Sequence, residues 1–343
     1  MPSDTRTGIT RRDAIRLLGA GAGLTAVAAN RREVDAAAQS RTIVRTILED
    51  VPPERLSGTT LFHEHLSTSR RDGTPAFDVG LIADEVKACA QDGVSCIVDT
   101  GNVSLGRKID ALRTIAIRSG VFIVACGGLH VKSTYPPDIF RKSADEISDD
   151  FVELARAERW GAIGEMGTGP AVPMDPDERK VLQAAAKTHL RTGLAIITHT
   201  SDGCAKCAVE QIDTFESAGA ELDRIVIGHL SEIQENLTAA TIAIAKRGVY
   251  LGFDHSGRPD DPRADEYVRT ILAVIDAGFT DRICLSSDFG NAKYLRKNGG
   301  PGIDMTVNVF VPKLRAAGVT DRAIHTILVE NPRRLLSFQP KSA

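Results

Sequence analysis

The feature that most constrains this chain is a series of short, β-branched apolar runs, each closed by a histidine or an acid and each followed by a stretch with helical spacing. Thr60-Leu61-Phe62-His63, Ala162-Ile163-Gly164-Glu165, Ala195-Ile196-Ile197-Thr198-His199, Ile225-Val226-Ile227-Gly228-His229 and Ile283-Cys284-Leu285-Ser286-Ser287-Asp288 are all too short for helices. Strands are predicted at 59–63, 96–99, 121–126, 162–165, 194–199, 225–229, 249–253 and 283–286. Helices are predicted at 81–92, 108–119, 148–158, 177–192, 207–218, 235–247 and 265–277, several of them ended by Gly93, Gly120, Gly161, Gly193, Gly219, Gly248 or Gly278. Strict strand-helix alternation with short connections demands a parallel sheet, and eight units close it into an α/β (β/α)8 TIM barrel. No linker or low-complexity tract divides residues 39–343, which read as a single barrel domain.

Composition agrees. A chain of 343 residues that is 42% hydrophobic can bury one large core. The formal net charge of -3 gives no electrostatic footprint for nucleic acid, and none is expected as a partner.

The N-terminus reads as an address. Thr10-Arg11-Arg12-Asp13 precedes an uncharged small and apolar stretch from Leu17 to Ala29, with small-residue cleavage sites at Val27-Ala28-Ala29 and Ala36-Ala37-Ala38. Residues 1–38 are similar to a twin-arginine export signal, with Ala14-Ile15 where that pattern often has Phe-Leu. A periplasmic or extracellular location is expected, with no stable membrane span once the signal is removed, since no other segment reaches about 18 uninterrupted apolar residues. Cys89, Cys96, Cys126 and Cys284 fall in helix or strand interiors and are expected as buried packing. Cys204 and Cys207 form a Cys-x-x-Cys after His199, for which a redox pair, a metal site and an incidental disulfide all stay open, the last being the plainest.

In a barrel all strand C-termini meet on one face, so residues distant in sequence converge there. His63 and His65 stand at i and i+2, on one side of an extended segment. Together with Glu165, His199, His229 and Asp288 they make a donor set of imidazoles and carboxylates suited to zinc, with manganese or cobalt as alternatives. His189, within a predicted helix, and His325, near a C-terminal one, read as structural or exposed.

Phe62-His63-Glu64-His65-Leu66, Val98-Asp99-Thr100-Gly101, Gly164-Glu165-Met166-Gly167, Thr198-His199-Thr200, Ile227-Gly228-His229, Gly252-Phe253-Asp254-His255 and Ser287-Asp288-Phe289-Gly290, in this order, resemble the motifs of the phosphotriesterase family of the amidohydrolase superfamily. The resemblance implies two divalent metal ions per chain, one held by His63, His65 and Asp288, the other by His199 and His229, with Glu165 between them. Well-known phosphotriesterases bridge with a carbamylated lysine; Glu165 supplies the same two oxygens and one charge, so the chain resembles the glutamate-bearing branch, and organophosphate hydrolysis does not follow. The implied chemistry is attack by a metal-bridging hydroxide, with Asp288, His255 and Glu232 as the catalytic proton path.

His130, Lys132 and Tyr135 after the third strand and Arg258 after the seventh are the substrate-contact candidates, the two cations for an anionic group. The expected substrate is a small molecule, with a lactone or carboxylic ester ahead of an N-acyl amide and an organophosphate triester. A metal-loaded binding protein without catalysis is the alternative of another class, and a homodimer is an open possibility.

Overall fold

The computed structural model describes residues 42–69 and 76–341. The segment read as an export signal, 1–38, lies outside the described residues. A short antiparallel pair, β1 (Val44–Arg45) and β2 (Asp50–Val51), comes first. Eight parallel strands follow: β3 (Thr59–Glu64), β4 (Val94–Asp99), β5 (Phe122–Gly127), β6 (Trp160–Thr168), β7 (Ala195–Thr200), β8 (Ile225–Ile227), β9 (Tyr250–Phe253) and β10 (Ile283–Leu285). Each strand pairs with its sequence neighbours, in the order β3 through β10. The seam between β10 and β3 is drawn together by Asp288 N–H donating to His63 O at 3.2 Å and His65 N–H to Phe289 O at 2.9 Å. The expected (β/α)8 barrel is what the chain forms.

Helices α1 (Val79–Gln91), α2 (Ile109–Ser119), α3 (Ala144–Ala157), α4 (Pro176–Thr192), α5 (Ala205–Ser217), α6 (Leu237–Ala245) and α7 (Ala264–Asp276) occupy the connections. α3 starts earlier than the apolar spacing predicts, because Ser143 and Glu146 form a capping box that holds its first turn. Gly161 does not end that helix. Arg159 takes the left-handed turn at φ 58°, and Gly161 lies inside β6, where a Cβ would stand 2.3 Å from Arg45 O.

Strand residues alternate between two layers, as a closed sheet requires. Phe62, Cys96, Val98, Val124, Cys126, Ile197, Val226, Tyr250 and Cys284 share one buried cluster free of α1–α7, the barrel interior, and Val44, Val51, Leu56, Leu335 and Leu336 join it. The opposite faces carry Leu61, Ile97, Ile123 and Ile163, Ile196, Leu251, which pack on the helices. The barrel is thus filled below its catalytic face. Cys89, Cys96, Cys126 and Cys284 are free and buried, as expected, and Cys204–Cys207 is a disulfide at the start of α5. Among the described residues no helix is long and apolar enough to cross a membrane.

Candidate metal centre

His63 lies in β3 and His65 directly after it, His199 lies in β7, and His229 and Asp288 follow the three-residue strands β8 and β10. His229 and Asp288 adopt left-handed backbone, φ 56° and 47°. Such conformations cost of order 1–3 kcal/mol in a residue with a Cβ and persist where the surroundings over-determine them. Glu165 is not at a strand end as the sequence suggests. β6 runs on to Thr168, and its pairing with β7 shifts register between Ile163 and Met166, an irregularity that re-aims the carboxylate. The close approach needs glycine: at Gly164 a Cβ would stand 2.7 Å from Ile197 O, and at Gly228 2.0 Å from Thr198 O.

These elements place Glu165 at the centre of the histidines. Its Oε1 lies 2.7 Å from His199 Nδ1, 3.0 Å from His229 Nε2 and 3.4 Å from His63 Nε2, and its Oε2 lies 3.5 Å from His65 Nε2. Asp288 Oδ1 faces His65 Nε2 at 3.0 Å and His63 Nε2 at 3.7 Å. All six expected ligands therefore share one site. His63 is fully buried, and neither of its nitrogens has a hydrogen-bond partner. Buried imidazole nitrogens left unmet beside two carboxylates fit the donor set of a metal ion.

The electrostatics point the same way. Burial works against charge on Glu165, yet the imidazoles of His130, His199 and His63 hold its pKa well below the carboxylate range. Burial likewise opposes charge on Asp288, and hydrogen bonding to His255 and His65 drives its pKa well below normal. His229 is pushed up despite burial because Asp254 and Glu165 face it. A cage that favours positive charge this strongly is filled by protons or by metal.

Asp254, passed over as a ligand candidate, sits beneath the cage. Fully buried, it lies 2.9 Å from His229 Nδ1 and 3.4 Å from His63 Nδ1, and accepts from His229 N–H at 2.8 Å. Carboxylates in this position fix ring orientation and raise ligand basicity. Its signal was the Asp in Gly252-Phe253-Asp254-His255. Glu64, between two ligands, is also buried and accepts from Ser286 Oγ, Ser287 N and Oγ and Phe289 N, at distances of 2.5–3.0 Å. Burial pushes its pKa up to about 7 against these donors.

Around the centre opens a cavity of about 820 Å³ that His65, His130, Glu165, His199, His229, Arg258 and Asp288 help line. His130 lies 3.7 Å from Glu165 Oε2, and burial lowers its pKa to about 4, so it stays neutral. His255 Nε2 stands 3.4 Å from Asp288 Oδ2 and 3.5 Å from Glu232 Oε1. Arg258 does reach the cavity but donates to Asp288 Oδ2 at 2.7 Å and Asp288 O at 2.8 Å. Lys132 and Tyr135 do not line it: Lys132 pairs with Asp175 and Asp177 at 2.8 and 3.0 Å, and Tyr135 is buried beside Phe140. Both are turned away because Lys132–Thr134 forms a short helical turn. His189 bonds Leu194 O at 2.7 Å from within α4, and His325 is exposed.

A (β/α)8 barrel with histidines and carboxylates gathered at the strand C-termini defines the class of barrel hydrolases built around a metal centre. Within it, the chain belongs to the phosphotriesterase family, whose profile it matches over residues 43–336. It is 28% identical over 348 residues to the N-acetyltaurine hydrolase of Danio rerio, covering 86% of this chain and 98% of that protein. The phosphotriesterase homology protein of Escherichia coli K12 is 29% identical over 291 residues, 80% of this chain and 97% of the relative. The crystal structure of a resiniferatoxin-binding protein from Rhodobacter sphaeroides matches with a TM-score of 0.79 at 30% identity, over 86% of this chain and 94% of that one. The chain is accordingly a hydrolase of this family.

Proposed function

We propose that the protein hydrolyses carboxylic acyl bonds, those of lactones and carboxylic esters first, using two divalent cations. His63, His65 and Asp288 would hold one and His199 and His229 the other, with Glu165 shared. The observation that carries this reading is the Glu165 carboxylate with four imidazole nitrogens within 3.5 Å. Zinc suits these donors, with manganese and cobalt as substitutes. Such a pair supplies Lewis-acid polarisation of the acyl oxygen and a water acidic enough to attack near neutral pH.

The chain's own groups do the rest. Asp288 presents Oδ2 to His255 at 3.4 Å, and Glu232 lies 3.5 Å beyond, half-exposed, so a proton received at Asp288 has a path outward. Arg258 grips the same carboxylate and fixes its direction. His130, held neutral on the cavity wall, would hydrogen-bond the substrate. The cavity wall mixes polar Thr68, Ser69, Ser104, Thr134 and Asn291 with apolar Val103 and Leu105 and the ring of Tyr294.

The second reading is N-acyl amide hydrolysis, favoured by the name of the Danio rerio relative and by a proton path that a poor amine leaving group requires. A binding protein without catalysis would have no use for that path. The deciding experiment is a panel of chromogenic lactones, esters, N-acyl amides and triesters, assayed with zinc or manganese and after chelation, beside elemental analysis. Two ions per chain and ester turnover abolished by chelation are expected; stoichiometric metal with no turnover of any acyl substrate would sink the proposal. His255→Ala is expected to keep its metal and lose about 10²–10⁴-fold in turnover on substrates with poor leaving groups. Metal loss in that variant would make His255 a ligand instead.

For location we propose export, supported by the paired Arg11-Arg12 and apolar stretch and by a Cys204–Cys207 disulfide of the kind oxidising compartments keep. Cell fractionation before and after Arg11→Lys with Arg12→Lys tests it: retention of the double variant in the cytoplasm is expected, and equal export of both overturns it.

A further inference from the structure

We infer that the substrate carries a terminal anionic group, a carboxylate or sulfonate, and that Lys108 is the residue that selects for it; this deepens the acyl-hydrolase reading and rests on it. Three cations line the cavity: Lys108, Arg258 and Lys293. Two are spoken for. Arg258 holds Asp288, and Lys293 Nζ pairs with Asp260 at 2.6 Å. The Lys108 ammonium has no hydrogen bond, ion pair or aromatic partner among the described residues. The lining acids are Glu165 and Asp288, both belonging to the metal centre, so among the described residues nothing acidic on the cavity wall answers Lys108.

The backbone under Lys108 is fixed. Asn102, fully buried, donates to Glu165 O at 3.1 Å and accepts from Ser104 N and Leu105 N, while Ser104 Oγ accepts from His130 N at 2.9 Å. Arg107 is buried and bonded to Cys126 O and Glu158. The wall that carries Val103, Leu105 and Lys108 is thereby tied to the backbone of the shared glutamate. Placement of Lys108 is also contrary to helix stability. It is the N-cap of α2 and makes no capping bond, where Ser, Thr, Asp or Asn is preferred and a cation opposes the helix dipole. The Lys108 side chain is exposed at the cavity wall, free of protein partners among the described residues and open to water, so an anion that arrives with the substrate can reach it. The acyl group would lie along Val103 and Leu105 with its anion at Lys108.

The test compares the holoenzyme with Lys108→Gln, Lys108→Ser and Lys108→Arg on the 4-nitrophenyl monoester of glutaric acid, its sulfonate-ended analogue and neutral 4-nitrophenyl valerate. The wild type is expected to favour the anionic esters in kcat/KM, mostly through KM. That ratio should fall about fivefold to tenfold in Lys108→Gln, the order of a charge-assisted hydrogen bond at a half-open site, and recover in Lys108→Arg. Lys132→Gln, outside the cavity, should keep the wild-type ratio. Lys108→Ser should weaken selection while raising the melting temperature, a combination that a merely structural lysine would not give. A wild type indifferent to the anion, or a preference that survives Lys108→Gln, overturns the inference. If no ester is turned over, the acyl-hydrolase reading fails on its own, and calorimetry of glutarate binding still decides Lys108: equal affinity for wild type and Lys108→Gln would reject it.

Discussion

The two sides of the candidate metal centre are built differently. On the β3–β10 side, His63 is sealed from solvent, and Glu64 between the two ligands clasps Ser286, Ser287 and Phe289 across the barrel seam. On the β7–β8 side, His199 is one-fifth exposed, its outer nitrogen meets Ser201 Oγ at 3.2 Å, and the following loop is tied by the Cys204–Cys207 disulfide. The first half of the site coincides with the closure of the barrel, so its geometry is enforced by the fold itself. The loop after β7 shapes the second half. One side is therefore tied to barrel closure and the other to a loop, and both present residues to the cavity.

Changes across this divide should differ in kind. The largest effect belongs to the residue common to both sides: Glu165→Gln is expected to lose bound metal and at least about three orders of magnitude in turnover, since several kcal/mol of transition-state stabilisation go with the ions. Metal content equal to that of Lys132→Ala would remove Glu165 from the centre. Next, Asp254→Asn is expected to weaken metal affinity about 10–100-fold with the barrel intact, as loss of a carboxylate behind ligand histidines does. Unaltered affinity in a chelator competition would show that ring orientation does not depend on it.

Smaller still, Glu64→Gln should lower stability by about 1–3 kcal/mol near neutral pH, because the amide's NH₂ faces a donor. The folded pKa of Glu64, about 7, exceeds the ordinary 4.5, so its protonated form is favoured by folding. Its contribution is complete below pH about 4.5 and declines as pH rises through about 7, and the metal-free wild type should lose stability over that window more steeply than Glu64→Gln. Parallel pH profiles would refute this. At the bottom of the scale, Ser201→Ala on the loop side should stay within about 0.5 kcal/mol. A loss as large as that of Glu64→Gln would erase the distinction between the two sides.

What the sequence revealed and concealed follows from backbone regularity. Barrel and ligands were legible because alternation, period and strand-end chemistry are local, and His199 and Asp288 keep the inward parity of Ile197 and Cys284. His63, His65, Glu165 and His229 break that parity, brought in by register shifts in β3 and β6 and a left-handed residue after β8, none of which spacing encodes. Asp254 and Glu64 stood inside recognised motifs, but their work depends on partners up to 225 residues away. Lys132 and Tyr135 were placed by loop number alone. A three-residue turn was enough to point them elsewhere, while Lys108, one loop earlier, reached the cavity unnoticed.

The Asp254 carboxylate touches one histidine from each ligand set, His63 and His229. On the proposed two-ion reading, fixing either ring through a bound ion would fix the carboxylate, which would orient the other ring before its own ion arrives. Occupancy of the two proposed sites would then be thermodynamically linked, each ion changing the affinity for the other by the same factor. Titration of metal-free protein should be cooperative, with a Hill coefficient above 1 that falls toward 1 in Asp254→Asn; independent binding in the wild type would refute the linkage. An enzyme made this way would pass from empty to fully loaded with little half-loaded protein between, so scarcity of metal would lower the number of active molecules rather than the activity of each.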